Sequence, residues 1–254
     1  MFPCFVDDIL NCDFEPWVQG RIRQQFYKFS DDLTANKEIS YSKTTQLAQF
    51  ADSKILVIGA GPSTNEVDWD PCDYDHLWSI NHFFMHKKLY SLKMSLVSLC
   101  PEIDLRDPVF ELYYKKFEPL VGFEVRARWD GTDWMDSSRL DLNERFSADK
   151  KTFAFHTRYG GKVGGCARLI LLAAHLGARE IDFVGMDGIP SIYDNTHAFE
   201  KGKVSLPGGV NADNAHAVCK AHYDTFWTYF LAQFPNLPVH SLQKRNQFHD
   251  PYVR

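Results

Sequence analysis

Three kinds of residue in this chain have the type and setting to do chemistry. The first is histidine, of which there are ten; imidazole titrates near neutrality and serves as general acid or base. His197 lies in a long polar stretch, and His216 lies just beyond it, in the first turn of a helix expected over 213–233 with Asp213 as N-cap. On that helix His216 borders the apolar face, whereas His222 falls inside it with Val218, Phe226 and Tyr229 and reads as a core residue. The second is an acid. Ile181-Asp182-Phe183-Val184-Gly185-Met186-Asp187-Gly188 is a strand-like run ending in Asp187, which at the carboxyl end of a strand can bind a ribose or amino group, orient a histidine, hold Mg²⁺, or simply cap a turn.

The third is a concentration of positive charge. The net charge is −5, yet residues 150–179 carry Lys150, Lys151, Arg158, Lys162, Arg168 and Arg179 and no Asp or Glu. Within this stretch Gly160, Gly161, Gly164 and Gly165 lead into a helix expected over 165–176, whose N-terminus offers free amides and about half a positive charge. With Lys162 just ahead of it, that start would hold a phosphate or carboxylate; solvated surface charge is the plain alternative. A second loop, Gly59-Ala60-Gly61-Pro62-Ser63, follows the apolar run Lys54-Ile55-Leu56-Val57-Ile58. Amides at such a strand exit commonly receive phosphate or ribose, although a tight turn would use the same residues. Thr64 stands where a dinucleotide fingerprint has its third glycine, and Pro62 has no amide to give, so a nicotinamide dinucleotide fold is disfavoured.

The elements that must position these residues alternate as in a parallel α/β sheet. Strands are expected at 54–58, 76–82, 94–100, 123–129, 152–157, 180–186 and 238–242, and helices at 109–120, 137–146, 165–176 and 213–233. The span 151–187 reads as strand, glycine loop, helix and strand, a βαβ unit with a right-handed crossover. Residues 1–50 hold few β-branched runs and read as a helical N-terminal extension; 51–254 are expected to form the main domain, and the Gly- and Pro-rich 188–212 is the expected lid loop.

The chain's 254 residues and 29.3 kDa allow one large domain with a short appendage. At 44% hydrophobic, 15% aromatic and 24% charged, it is no disordered tail, collagen rod or charge-rich coiled coil. A pI near 6.0 argues against nucleic acid as partner. Asp7 and Asp8 make the first ten residues a poor secretory signal, and no window approaches the roughly 20 apolar residues of a membrane span. Six scattered cysteines without a C-x-x-C pair read as reduced thiols, so the expected location is the cytoplasm.

In order, ILVIGAGPS with Asn65-Glu66-Val67-Asp68, Ser79-Ile80-Asn81-His82-Phe83-Phe84, LGAREIDFVGMDG, Thr196-His197-Ala198-Phe199 and Asp213-Asn214-Ala215-His216 resemble the small bacterial CMP-dependent sialyltransferases over about residues 53–245. They also resemble a wider Rossmann-like group that includes flagellin glycosyltransferases and archaeal 6-hydroxymethylpterin diphosphokinases. The resemblance implies an α/β, Rossmann-like three-layer sandwich with a mostly parallel sheet of about six or seven strands. It implies an inverting transferase that moves a sugar from a CMP-sugar donor to a glycan or small-molecule acceptor hydroxyl, with no obligatory cofactor or metal. Gly59, Ala60, Gly61, Pro62, Ser63 and Asn81 would contact the nucleotide, and Lys162, Gly164 and Gly165 would lie against the donor. The family's two phosphate-steadying tyrosines align with Ile189 and His197, and its base with Lys220, so Tyr193 or His197 would assist the phosphate and His216, then His222, would be the base. The diphosphokinase alternative would instead transfer diphosphate from ATP with Mg²⁺ on Asp187, and a non-catalytic nucleotide-binding module is a second alternative.

Overall fold

A strand covered by helices on both faces shows no polar alternation, and the run Lys54-Ile55-Leu56-Val57-Ile58 forms such a strand, β1 (Lys54–Ile58), inside the sheet. The computed structural model describes residues 46–100, 103–124, 151–155, 157, 159, 163–187, 197–200 and 215–243. Its other strands are β2 (His76–Ile80), β3 (Leu96–Ser98), β4 (Leu120–Glu124), β5 (Thr152–Phe155), β6 (Glu180–Val184) and β7 (Val239–Ser241). All pair in parallel in the order β5-β4-β3-β2-β1-β6-β7. The helices are α1 (Ser63–Glu66), α2 (Lys87–Tyr90), α3 (Pro108–Phe117), α4 (Gly165–His175) and α5 (Ala215–Gln233).

The expected Rossmann-like class holds, with seven strands, all parallel. Two readings need correction. The strand expected at 123–129 begins three residues earlier, at Leu120, because α3 stops at Phe117 and Glu118 turns left-handed with φ +46°. Pro119 forces this: a helix cannot run through the residue preceding a proline without strain. The segment 151–187 does contain strand, helix and strand, but β5 and β6 are not neighbours. β5 lies on the sheet's outer edge and β6 beside β1, so α4 carries the chain back across the sheet and packs on β1, β2 and β6. The helix expected at 137–146 and residues 1–45 lie outside the described residues.

Local chemistry sets the helix ends. Asp107 accepts from the amides of Val109 (2.8 Å) and Phe110 (3.3 Å), with Pro108 at the first helical position of α3. At the end of α4, Gly177 adopts φ +81°, and the amides of Gly177 and Ala178 close on the carbonyls of Ala174 and Ala173, both at 3.1 Å. This left-handed cap calls for glycine. Leu47 and Phe50 belong to the core; Phe50 packs edge-on against the rings of His76 and Trp78, each 4.8 Å away. Among the described residues no helix is long and apolar enough to cross a membrane.

Leu56 is fully buried in β1 between β2 and β6. Leu56→Ala is expected to lower stability by about 2–5 kcal/mol, measured as a shift of the midpoint in a urea titration at unchanged slope.

Candidate functional site

The strand order reverses between β1 and β6. In open α/β sheets the crevice beyond the carboxyl ends at such a point is the ligand site. Here it is walled by the loop Gly59–Ser63 after β1 and by Gly185-Met186-Asp187 after β6. The two are stitched together. The amide of Gly59 donates to Val184 O (2.7 Å), that of Gly61 to Gly185 O (2.9 Å) and that of Ser63 to Asp187 Oδ2 (3.1 Å). In return, the amide of Gly185 donates to Ser63 Oγ (2.9 Å), whose hydroxyl donates to Gln243 Oε1 (3.0 Å), and Gln243 Nε2 donates to Met186 O (3.0 Å). Thr64 Oγ1 closes the turn on Gly59 O at 2.8 Å.

This packing requires the glycines. A Cβ on Gly61 would stand 2.0 Å from Asp187 Oδ2, and one on Gly59 would stand 2.4 Å from Gly185 O. The glycine loop is therefore a rigid wall. Its amides at Gly59, Gly61 and Ser63 are committed to protein acceptors, and Pro62 has none, so it is not the cradle of free amides a pyrophosphate would need.

The start of α4 lies at the same edge. Its first-turn N–H groups have no intrahelical acceptor, and its N-cap, Gly164, has no side chain to supply one. Gly165 packs on β2, where an added Cβ would be 3.4 Å from Ile80 Cγ2. The Tyr223 hydroxyl of α5 would be 3.8 Å from a Cβ on Gly164. Burial pushes up the Cys166 thiol, and the charge of Asp187 adds to the rise. Asp187 itself is raised above the usual carboxylate range by burial, against the lowering effect of its hydrogen bonds with Ser63, and Glu66 adds to the rise.

On the β2 side Asn81 takes a left-handed backbone, φ +46°, which asparagine tolerates, and its Oδ1 accepts from the amide of Cys100 at 2.8 Å. Asn81 thus ties the exits of β2 and β3. Residues 197–200 dock on the same edge: the amide of Ala198 donates to Ala60 O at 2.7 Å, and Phe199 is buried. Glu200 Oε2 lies 3.0 Å from His82 Nδ1 and 3.8 Å from His197 Nδ1. His86 pairs with Asn65 Oδ1 (2.6 Å) and receives the amide of Leu89 (3.3 Å), which makes it a cap for α2.

The described cations of the basic stretch do not converge. Of its described members, Lys151 pairs with Glu118 at 2.9 Å, and Arg179 pairs with Asp75 at 3.1 Å and with the Asp52 carbonyl at 2.7 Å. Lys151 and Arg179 precede β5 and β6 and so lie at the opposite, amino edge of the sheet. Arg168 is buried, donates to Thr157 Oγ1 (3.1 Å) and the Tyr159 carbonyl, and lies over the Tyr159 ring; it is a packing residue. His222 is half-buried on α5. Lys220 is exposed and paired with Asp224 at 2.5 Å. Lys162, Ile189 and Tyr193 lie outside the described residues, as does the His216 side chain, whose backbone opens α5.

No protein-family model and no curated protein matches this sequence. Solved structures do. The monofunctional α-2,3-sialyltransferase Cst-I from Campylobacter jejuni matches over 79% of this chain and 80% of its own, with a TM-score of 0.55 and 15% identity. The sialyltransferase CstII from the same organism, in complex with cytidine-5'-monophosphate, matches over 78% and 82%, with a TM-score of 0.51 and 15% identity. CstII in complex with CMP-3FNeuAc matches over 79% and 86%, with a TM-score of 0.50 and 15% identity. The chain resembles the bacterial sialyltransferases in fold. This agrees with the resemblance carried by the order of its sequence segments.

Reading the sequence as a sialyltransferase-like chain missed Thr64, His82, Glu200 and Gln243. Glu200 directly follows the quoted Thr196-His197-Ala198-Phe199 and His82 follows Asn81, so adjacency was the available signal. Gln243 had none, since its partners Ser63 and Met186 are 180 and 57 residues away.

A carboxyl raised by folding contributes stability that is complete below its unfolded pKa and is lost as pH rises through the folded value. Asp187→Asn keeps an acceptor for Ser63 and removes that loss. The melting temperature of the variant relative to wild type is expected to climb as pH rises from about 4 to neutrality; melts of both proteins across that range give the difference.

Proposed function

We propose that this protein is a glycosyltransferase of the sialyltransferase type, moving a sugar from a CMP-sugar to an acceptor hydroxyl with inversion at the anomeric carbon. The observation that supports this most is the fold shared over about four-fifths of chains crystallised with cytidine-5'-monophosphate or CMP-3FNeuAc. In this reading the donor lies over the carboxyl edge. The nucleoside rests against the wall Gly59–Ser63 and Asn81, and the phosphate faces Lys162 and the start of α4 at Gly164 and Gly165. The α4 N-terminus, His197 and Tyr193 would stabilise the leaving CMP, as preorganised donors aimed at developing charge do. The span 188–212 would close over the donor, because water competes with the acceptor. Asp187 acts by holding the β6 exit to Ser63, and His216 is the base nominated by sequence order.

The diphosphokinase alternative would ask Asp187 to hold Mg²⁺. Its Oδ2 already accepts from Ser63. Among the described residues the trio at ligand spacing is Glu180, Asp182 and His240, which Lys54 closes with its ammonium at 2.9 Å from Glu180 and 3.5 Å from Asp182. That ammonium lies at the start of β1, the end opposite the crevice.

CMP at one hundred times its Kd is expected to add about 2.7 kcal/mol of stability without any metal, roughly 5–10 °C in a thermal-shift assay. Stabilisation only by ATP with Mg²⁺ would overturn the reading.

A further inference from the structure

We propose that His82, oriented by Glu200, is the general base that takes the acceptor's proton. This rests on the transferase reading above and puts His82 in place of His216, the base nominated by sequence order, whose side chain lies outside the described residues. His82 is the second residue beyond β2 and its side chain is 31% exposed on the crevice edge. Its Nδ1 is 3.0 Å from Glu200 Oε2. A carboxylate only accepts, so Nδ1 carries the proton in this contact and the neutral ring keeps its lone pair on Nε2. A carboxylate that fixes one imidazole nitrogen leaves the other as the base; this is the working logic of the hydrolase triads.

Glu200 is held in place to do this. Ala198 donates its amide to Ala60 O at 2.7 Å, and Phe199 is buried, its ring 5.6 Å from that of His197 and 6.0 Å from that of His86. Glu200 also sets the second imidazole the other way. Its backbone N–H, which only donates, points at His197 Nδ1 at 3.2 Å, so neutral His197 carries its proton on Nε2. One residue therefore fixes two histidines in opposite tautomers on the same sheet edge: His82 with an accepting Nε2 and His197 with a donating one. The transfer needs an acceptor for the incoming hydroxyl's proton, and His82 Nε2 is that acceptor.

In the step, the acceptor O–H bond breaks and its proton passes to His82 Nε2. The oxygen forms the bond to the anomeric carbon, while the bond from that carbon to the donor's phosphate oxygen breaks and its electron pair leaves on CMP. The imidazolium formed at His82 faces the Glu200 carboxylate.

The test uses the full chain with CMP-N-acetylneuraminate and follows release of CMP, water standing in for the acceptor. His82→Gln is expected to lower kcat on the order of 10²-fold or more, with KM little changed and the acid limb of the kcat–pH profile abolished. Glu200→Gln is expected to lower kcat at least tenfold, and added imidazole is expected to restore part of the activity of His82→Ala. Thermal stabilisation of each variant by CMP shows that it is folded and binds nucleotide. If both variants keep kcat within twofold with the acid limb intact while CMP still stabilises them, His82 is not the base and the transferase reading stands. If the wild type neither releases CMP from the donor nor is stabilised by CMP, both fail.

Discussion

The close approach of the β1 and β6 exits is the constraint on which the crevice depends. Backbone meets backbone across Gly59, Gly61 and Gly185; Gly185 has φ +76°, and a Cβ on it would stand 2.2 Å from Thr64 Oγ1. Ser63 and Asp187 lock the gap from one side and Gln243 from the other. The result is a wall with most of its hydrogen bonds already made. In the proposed reading such a wall would orient a ligand by shape and leave the electrostatics of an anion to the N-terminus of α4, which opens at the same edge.

The same strand pair is fastened at its other end. Lys54, opening β1, reaches Glu180 and Asp182 of β6, and Tyr74 donates its hydroxyl to Asp182 at 3.0 Å. Burial, with the Asp182 charge, pushes the Tyr74 phenol up, and the Glu180 hydrogen bond raises the Lys54 ammonium. Charge is thus used structurally at the amino edge, while the carboxyl edge carries His82, His86, His197, Asn81 and Asp187. A net charge of −5 does not bar an anionic ligand, because a helix N-terminus can offer positive charge locally whatever the charge of the whole molecule.

The central elements were legible in the sequence because their patterns are local. The run at 54–58, the Gly164-Gly165 start and Gly177 stop of α4, and the strand ending in Asp187 follow from burial and helix capping alone. The order of the sheet was not, because no local pattern says that α4 crosses from the edge back to β1. Pro119 carried the correct end of α3. The basic stretch is only partly brought together: strand, loop and helix span the height of the sheet, so Lys151 and Arg179, which precede β5 and β6, lie at the edge opposite the α4 N-terminus. The Glu200–His82 contact joins residues 118 apart, which spacing cannot foretell, and the tautomers it sets are visible only once donors and acceptors are assigned.

A crystal structure of the protein soaked with CMP tests the central claim most directly. The expected result is cytidine against Gly59–Ser63 and Asn81, its phosphate at the first turn of α4 and within reach of the His82–Glu200–His197 edge. The contradicting result is CMP bound elsewhere, or an empty crevice with CMP that fills with ATP and Mg²⁺ on Asp187.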